Sequence, residues 1–120
     1  MPRKYASQEF CPVARTLDIV GDRWTLLILR DISPGHTRFN ELLESCAGIS
    51  TNLLSRRLKK LEERGFVERT FYSDHPPRAE YRLTDKGKDF RHVLRAMYQW
   101  GVKHEPRETD RALEQMVRKR

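Results

Sequence analysis

The sequence has few cysteines and no long hydrophobic run, and each absence excludes a class of protein. Two cysteines among 120 residues cannot build the disulfide framework of a small secreted protein, and no Cys or His pair has structural zinc spacing. The longest apolar run, residues 24–29, is far shorter than the ~20 residues that span a bilayer. Because the first residues contain no apolar signal segment, we expect an intracellular protein without membrane contact. The missing zinc spacing leads us to expect no bound metal, and we also expect no cofactor.

The motifs of common enzyme sites are also missing. The sequence contains no phosphate-binding glycine loop, no paired-carboxylate motif and no nucleophile motif, so we expect that the protein is not an enzyme. It does contain an excess of positive charge, with a formal net charge of +7 and an isoelectric point near 9.8. Such a charge favours a polyanionic partner, because neutralising phosphates releases condensed counterions.

The hydrophobic pattern predicts one domain with three helices in its first half. We expect a flexible arm over residues 1–10, the domain itself over residues 11–105, and a short tail helix over residues 106–120. The first helix begins at Cys11-Pro12, since proline is tolerated at the first helical position, and it ends at Gly21. The second follows Asp22, a suitable cap, and is apolar enough to be the buried centre; the third follows Arg38.

A fourth helix, over residues 50–64, completes a helix-turn-helix with the third. Ser50 caps its N terminus, and its leucines fall within one narrow arc. Gly65 follows its last turn, where helices commonly end with a glycine in the left-handed backbone conformation. Its opposite face is polar, and there Asn52 and Arg56 carry side chains that pair with adenine and guanine edges. Because six basic and three acidic residues also lie between positions 50 and 72, we interpret this helix as a DNA-recognition helix.

Two strands, over residues 66–72 and 79–83, follow the fourth helix, and the loop between them is interpreted as a wing. Prolines hold this loop extended, so that His75 and Arg78 can reach DNA, although an ordinary surface turn fits the same residues. Thr37 and Arg38 precede the third helix, whose positive end favours phosphates. The residues expected to contact DNA are Thr37, Arg38, Ser50, Thr51, Asn52, Ser55, Arg56, Arg57, Lys60, His75 and Arg78.

A long helix then runs from Thr84, which can cap it, to about Glu105. Its apolar stripe needs a partner surface, so we expect a dimer interface; the alternative is packing on the first helix of the same chain. The stripe consists of Phe90, Val93, Leu94, Met97 and Trp100. The predicted fold class is therefore mainly α with a small β-hairpin, a winged helix-turn-helix with a long C-terminal dimerisation helix.

The two cysteines have different expected roles. Cys11 stands at a helix start, where the helix dipole and the basic residues Arg3, Lys4 and Arg15 favour the reactive thiolate, so it is a candidate redox sensor. A structural thiol that merely precedes a helix is the alternative. Cys46 continues the apolar stripe of the third helix, which favours a place in the core over a chemical role.

Seven segments together closely resemble the HxlR family of bacterial transcriptional regulators, which are MarR-like winged-helix proteins. They are distributed between residues 11 and 87, and the match as a whole extends over roughly residues 11–101. The segments are CPVARTL at 11–17, RWTLLILR at 23–30, RFNEL at 38–42, GIS at 48–50, LKKLE at 58–62, PPRAEY at 76–81 and LTDKG at 83–87. A set of motifs of that length is specific to the family.

The resemblance implies a cytoplasmic homodimer, joined through the first helix with Val13 and Leu17 and through the long helix. It also implies that the fourth helix enters the major groove of an inverted-repeat DNA operator, as in a transcriptional repressor or autoregulator. Several members sense oxidants or electrophiles at the position of Cys11, some with a second cysteine in an intersubunit disulfide, a role open to Cys46. A winged-helix module that binds an acidic protein surface, and never DNA, is the alternative function.

Overall fold

The computed structural model describes residues 8, 10–32, 37–74, 77–108 and 110. Five helices and three strands occur in this part of the chain, in the predicted order except for one added strand. They are α1 (Pro12–Val20), α2 (Thr25–Ile32), β1 (Thr37–Arg38), α3 (Phe39–Ser45), α4 (Thr51–Glu63), β2 (Val67–Asp74), β3 (Pro77–Leu83) and α5 (Asp85–His104). Most of the expected N-terminal arm and tail helix, and also His36 and His75, lie outside the described residues.

The ends of α1 and α2 follow from local side-chain chemistry. Pro12 is the first residue of α1, and at its other end the backbone N–H of Gly21 donates to the Leu17 carbonyl at 2.8 Å. The Asp22 carboxylate then accepts from the backbone N–H groups of Trp24 and Thr25, at 2.8 and 3.0 Å. Asp22 thus satisfies N–H groups that the first turn of a helix leaves free.

Helices α3 and α4 form the helix-turn-helix. Gly48, in the turn between them, has a φ of +99°, and Gly65, just after α4, has a φ of +78°. The hydroxyl of Ser50 accepts from the backbone N–H of Leu53 at 3.1 Å, which confirms its predicted role as the cap of α4. On the inner face of α4, Leu54, Leu58 and Leu61 are fully or almost fully buried.

The sheet has one strand more than the sequence predicted. Its order is β1-β3-β2, and all pairings are antiparallel. The added strand β1 pairs Thr37 with Tyr81 and Arg38 with Glu80. With only two residues, β1 is too short to show the alternating pattern that reveals a strand. Its pairing ties the start of α3 to the hairpin.

The core consists of apolar side chains from α1 to α4 and from the hairpin. Its most deeply buried members are Ile28, Leu29, Ile32, Leu42, Leu54, Leu58 and Leu61. The described residues up to Lys88 form one compact unit, and those from Asp89 onward form a second. Among the helices described, none has the combination of length and hydropathy that a membrane span requires.

Candidate nucleic-acid interface

The face of α4 opposite the buried leucines is open to solvent. It is a polar surface that begins in the first turn of the helix, where side chains of a recognition helix meet base edges. Its exposed residues are Thr51, Asn52, Ser55, Arg56, Lys59 and Glu63. The helical wheel predicted this division into two faces, and the burial of the leucines confirms it.

A groove of about 390 Å³ lies between this helix and the hairpin. Its lining includes Asn40 of α3, Ser55 of α4 and Arg78 of β3. The complete lining is Phe39, Asn40, Ser55, Phe71, Tyr72, Arg78, Ala79 and Tyr81. The groove therefore brings together two residues that the sequence assigned to DNA contact, Ser55 and Arg78, and adds Asn40, which it did not.

Two aromatic residues of the hairpin, Phe71 and Tyr72, are also exposed at this groove, at 56% and 41% of their surface. Adjacent residues of a regular strand point to opposite faces. Here the pairing of β2 with β3 is irregular between Phe71 and Ser73, which disturbs the alternation and leaves both rings accessible. The sequence pattern placed Phe71 and Tyr72 only in a strand, and the one signal of a further role is that two adjacent aromatic residues lie beside the predicted wing.

The two residues before α3 have partners within the protein. The hydroxyl of Thr37 donates to the Ile32 carbonyl at 3.3 Å, at the end of α2, so it is already engaged. The guanidinium of Arg38 lies 4.4 Å from the centre of the Tyr72 ring, and its Nε is 3.5 Å from a Glu80 carboxylate oxygen. Arg38 nevertheless remains more than half exposed, so it can still meet a phosphate.

Arg57 and Lys60, which were expected to contact phosphates from the flanks of α4, have partners within the protein. The Nε of Arg57 lies 3.2 Å from a carboxylate oxygen of Asp22, and the Arg57 side chain is only 18% exposed. The ammonium group of Lys60 donates to the backbone carbonyl of Asp18 at 3.0 Å. Both lie on the border of the apolar face of α4, where they contact α1 and the α1–α2 turn.

The cysteines differ in accessibility. Cys11 is the N-cap of α1 and is half-buried, which confirms its predicted place at a helix start. Cys46 is only 2% exposed, and its Sγ lies 3.5 Å from a carboxylate oxygen of Asp31. Burial raises the pKa of the Cys46 thiol, and the nearby Asp31 carboxylate adds to the rise, so the thiolate is disfavoured there. This supports the core position for Cys46 and opposes the role of second redox cysteine.

The residues expected at a dimer interface include several exposed apolar side chains. In α1, Val13 and Leu17 are exposed, at 68% and 39%. In the second unit, α5 exposes Val93, Met97 and Trp100, whereas Phe90 and Leu94 are half-buried. Within the described residues no group of three or more potential metal ligands occurs.

A helix-turn-helix followed by a hairpin, with an exposed polar face on its second helix, defines a winged helix-turn-helix protein of the kind found in transcriptional regulators. Residues 19–109 match the family model described as HxlR-like helix-turn-helix. The chain therefore belongs to the HxlR family of transcriptional regulators.

Individual relatives agree with this assignment. The HTH-type transcriptional regulator sll1512 of Synechocystis is 36% identical over 97 residues, which cover 81% of this chain and 72% of that protein. The oxidised form of the redox regulator HypR has a TM-score of 0.71 and 35% identity, over 78% of this chain and 97% of that one. The reduced form of YodB from Bacillus subtilis has a TM-score of 0.68 and 34% identity, over 82% and 98% of the two chains. A second structure of YodB is quinone-bound.

Proposed function

We propose that the protein is a cytoplasmic, homodimeric transcriptional regulator that binds an inverted-repeat DNA operator. The observation that carries the proposal is the exposed polar face of α4, with Asn52, Ser55 and Arg56 directed away from the core. In the proposed complex this face enters the major groove, where Asn52 and Arg56 meet base edges. Two such helices in one dimer would lie about 34 Å apart, one turn of DNA.

The groove beside α4 is proposed to receive one strand of the DNA backbone. Arg78 supplies a positive charge, and Asn40 and Ser55 supply hydrogen-bond donors, which are the groups that commonly contact phosphate oxygens. The rings of Phe71 and Tyr72 give the deoxyribose an apolar surface. This arrangement adds Asn40, Phe71 and Tyr72 to the DNA-contact residues that the sequence indicated.

Replacing Arg78 with alanine tests the groove and separates the two candidate functions. We expect a loss of operator affinity of about 10-fold, together with a shallower salt dependence, because one phosphate contact per protomer disappears. Gel shifts over a range of salt concentrations would measure both. Arg82→Ala is the matched control, because Arg82 lies on the same strand but pairs with Glu68 at 2.5 Å and does not line the groove. Equal, negligible effects of the two variants would favour the protein-binding module over the DNA-binding protein.

Dimerisation is proposed to cover the apolar side chains that α1 and α5 expose. Val13 of α1 is 68% exposed, and Val93, Met97 and Trp100, which share one side of α5, are 44%, 51% and 60% exposed. A contiguous apolar stripe such as that of α5 is typical of a surface that binds a partner. The two-fold symmetry of a homodimer would also match the two half-sites of an inverted repeat. Light scattering or sedimentation of the purified protein would measure its mass directly.

Control by thiol oxidation is proposed to act at Cys11, the more accessible of the two cysteines. Its similarity to the redox regulator HypR, known in oxidised and reduced forms, and to YodB, known with a bound quinone, supports a response of this protein to oxidants or quinones. We expect a mild oxidant or a quinone to change operator affinity by about 5-fold or more, and Cys11→Ser to abolish the change.

Cys46→Ala is the control for the Cys11 experiment. Since Cys46 is buried and its pKa is raised by that burial, this variant should keep the full response. A normal oxidant response in Cys11→Ser would remove Cys11 from the mechanism. An oxidant-dependent dimer band on a non-reducing gel, absent from both single variants, would instead support an intersubunit disulfide between Cys11 and Cys46.

A further inference from the structure

Two basic residues of α4, Arg57 and Lys60, turn inward. They are three residues apart, which is about one turn of the helix. Arg57 is among the least exposed charged side chains of the described chain, at 18%, and its Nε is buried. A carboxylate oxygen of Asp22 lies 3.2 Å from this atom, and Asp22 is itself only 17% exposed. The N–H of Nε makes no hydrogen bond within the described residues, so the contact is a buried ion pair rather than an aligned hydrogen bond.

Asp22 is held firmly in place for this contact. Its carboxylate accepts from two backbone N–H groups at the start of α2 and from the hydroxyl of Thr25. Burial alone would raise the pKa of Asp22, but these hydrogen bonds, and the charge of Arg57, outweigh burial and lower the pKa below its ordinary value. The carboxylate that faces α4 is therefore fixed in position and remains charged near neutral pH.

The second inward contact joins α4 to the end of α1. The ammonium group of Lys60 donates to the carbonyl of Asp18 at 3.0 Å. Asp18 lies in the last turn of α1, where the helix dipole favours a nearby cation. Lys60 thus joins α4 to the C-terminal turn of α1.

We propose that Arg57 and Lys60 are positioning residues, which fix α4 against α1 and the α1–α2 turn and do not contact DNA. Two anchors on one side of a helix restrict both its rotation about its axis and its sliding along that axis. The exposed face with Asn52 and Arg56 is then presented at a fixed angle. This inference rests on the proposed function, because α4 must be the recognition helix for its angle to affect DNA binding.

Operator binding by Arg57→Gln and Lys60→Gln, measured at several salt concentrations, distinguishes positioning from phosphate contact. A phosphate contact contributes about 0.9 to the slope of log affinity against log salt, so its loss makes the slope shallower. We expect each variant to lose about 10-fold in affinity with an unchanged slope. Lys59→Gln is the matched control, because Lys59 is the exposed neighbour of Lys60 and its loss should reduce the slope.

A double-mutant cycle with Asp22→Asn tests the ion pair itself. Asparagine can still cap α2, so this variant removes the charge facing Arg57 while keeping the cap. If Arg57 acts through Asp22, the combined variant should bind operator about as well as either single variant, whereas independent effects would multiply. Multiplying effects, or a shallower salt slope in Arg57→Gln, would overturn the proposal.

The same cycle in urea unfolding needs no DNA and separates this inference from the proposed function. If Asp22 and Arg57 interact, the shifts in urea midpoint caused by Asp22→Asn and Arg57→Gln should not add up in the double variant. All midpoints are measured at one fixed protein concentration. If the wild-type protein bound no operator, the proposed function would fail and the role in DNA reading would fail with it. Additive midpoints with normal wild-type binding would overturn the positioning role alone.

Discussion

Replacing Asn52 and Arg56 together with alanine is expected to lower operator affinity by at least about 100-fold. Both side chains are exposed on the polar face of α4, and each bidentate contact with a base edge contributes about 1–3 kcal/mol of discrimination. Each single variant should therefore lose about 10-fold or more. The residual binding of the double variant should be insensitive to sequence, because its phosphate contacts remain. Competition gel shifts with operator and unrelated DNA would measure both affinity and specificity.

Arg95→Ala is a suitable control for this experiment. It also removes an exposed arginine from a helix, but from α5 and outside the helix-turn-helix. We expect a small loss that is equal for operator and unrelated DNA, since only general electrostatic attraction changes. If Arg95→Ala and the double variant lost specificity equally, α4 would not be the element that reads the operator.

The ends of the helices could be predicted because their signals are local. Ser50 caps α4 through its own side chain, and Gly65 has the positive φ that its position after the helix required. The division of α4 into buried leucines and an exposed polar face also depends only on the period of a helix. For these reasons the sequence was sufficient to place Asn52 and Arg56 on the outer surface.

The contacts of Arg57 and Lys60 could not be predicted, because they depend on neighbours distant in sequence. The helical wheel places both at the border between the faces of α4, and it contains no information about which element covers that border. Only the tertiary fold brings Asp22 to Arg57, and the carbonyl of Asp18 to Lys60.

The groove was missed for a similar reason. It depends on the irregular pairing after Phe71, which exposes Tyr72 as well, and no residue type in that segment requires such an irregularity. The pairing of β1 with β3 brings Arg38 near the hairpin, where its guanidinium packs on the Tyr72 ring. The preferences of individual residues were therefore sufficient to predict the two strands. The groove depends on how the strands pair, which those preferences do not determine.

Gly87→Ala is expected to destabilise the fold by about 2 kcal/mol or more, although alanine is the better helix former. A Cβ added to Gly87 would lie 2.1 Å from the backbone carbonyl oxygen of Phe66, and backbone cannot move aside as a flexible side chain can. Overpacking of this kind costs about 1–3 kcal/mol, and it outweighs the helix propensity gained. Urea unfolding at fixed protein concentration would measure the loss.

Gly101→Ala is the control for this experiment. Gly101 lies in the same helix with no atom within 4 Å of the added Cβ, so this variant should instead stabilise the protein by up to about 1 kcal/mol. Similar midpoints for the two variants would show that the start of α5 does not pack closely against Phe66.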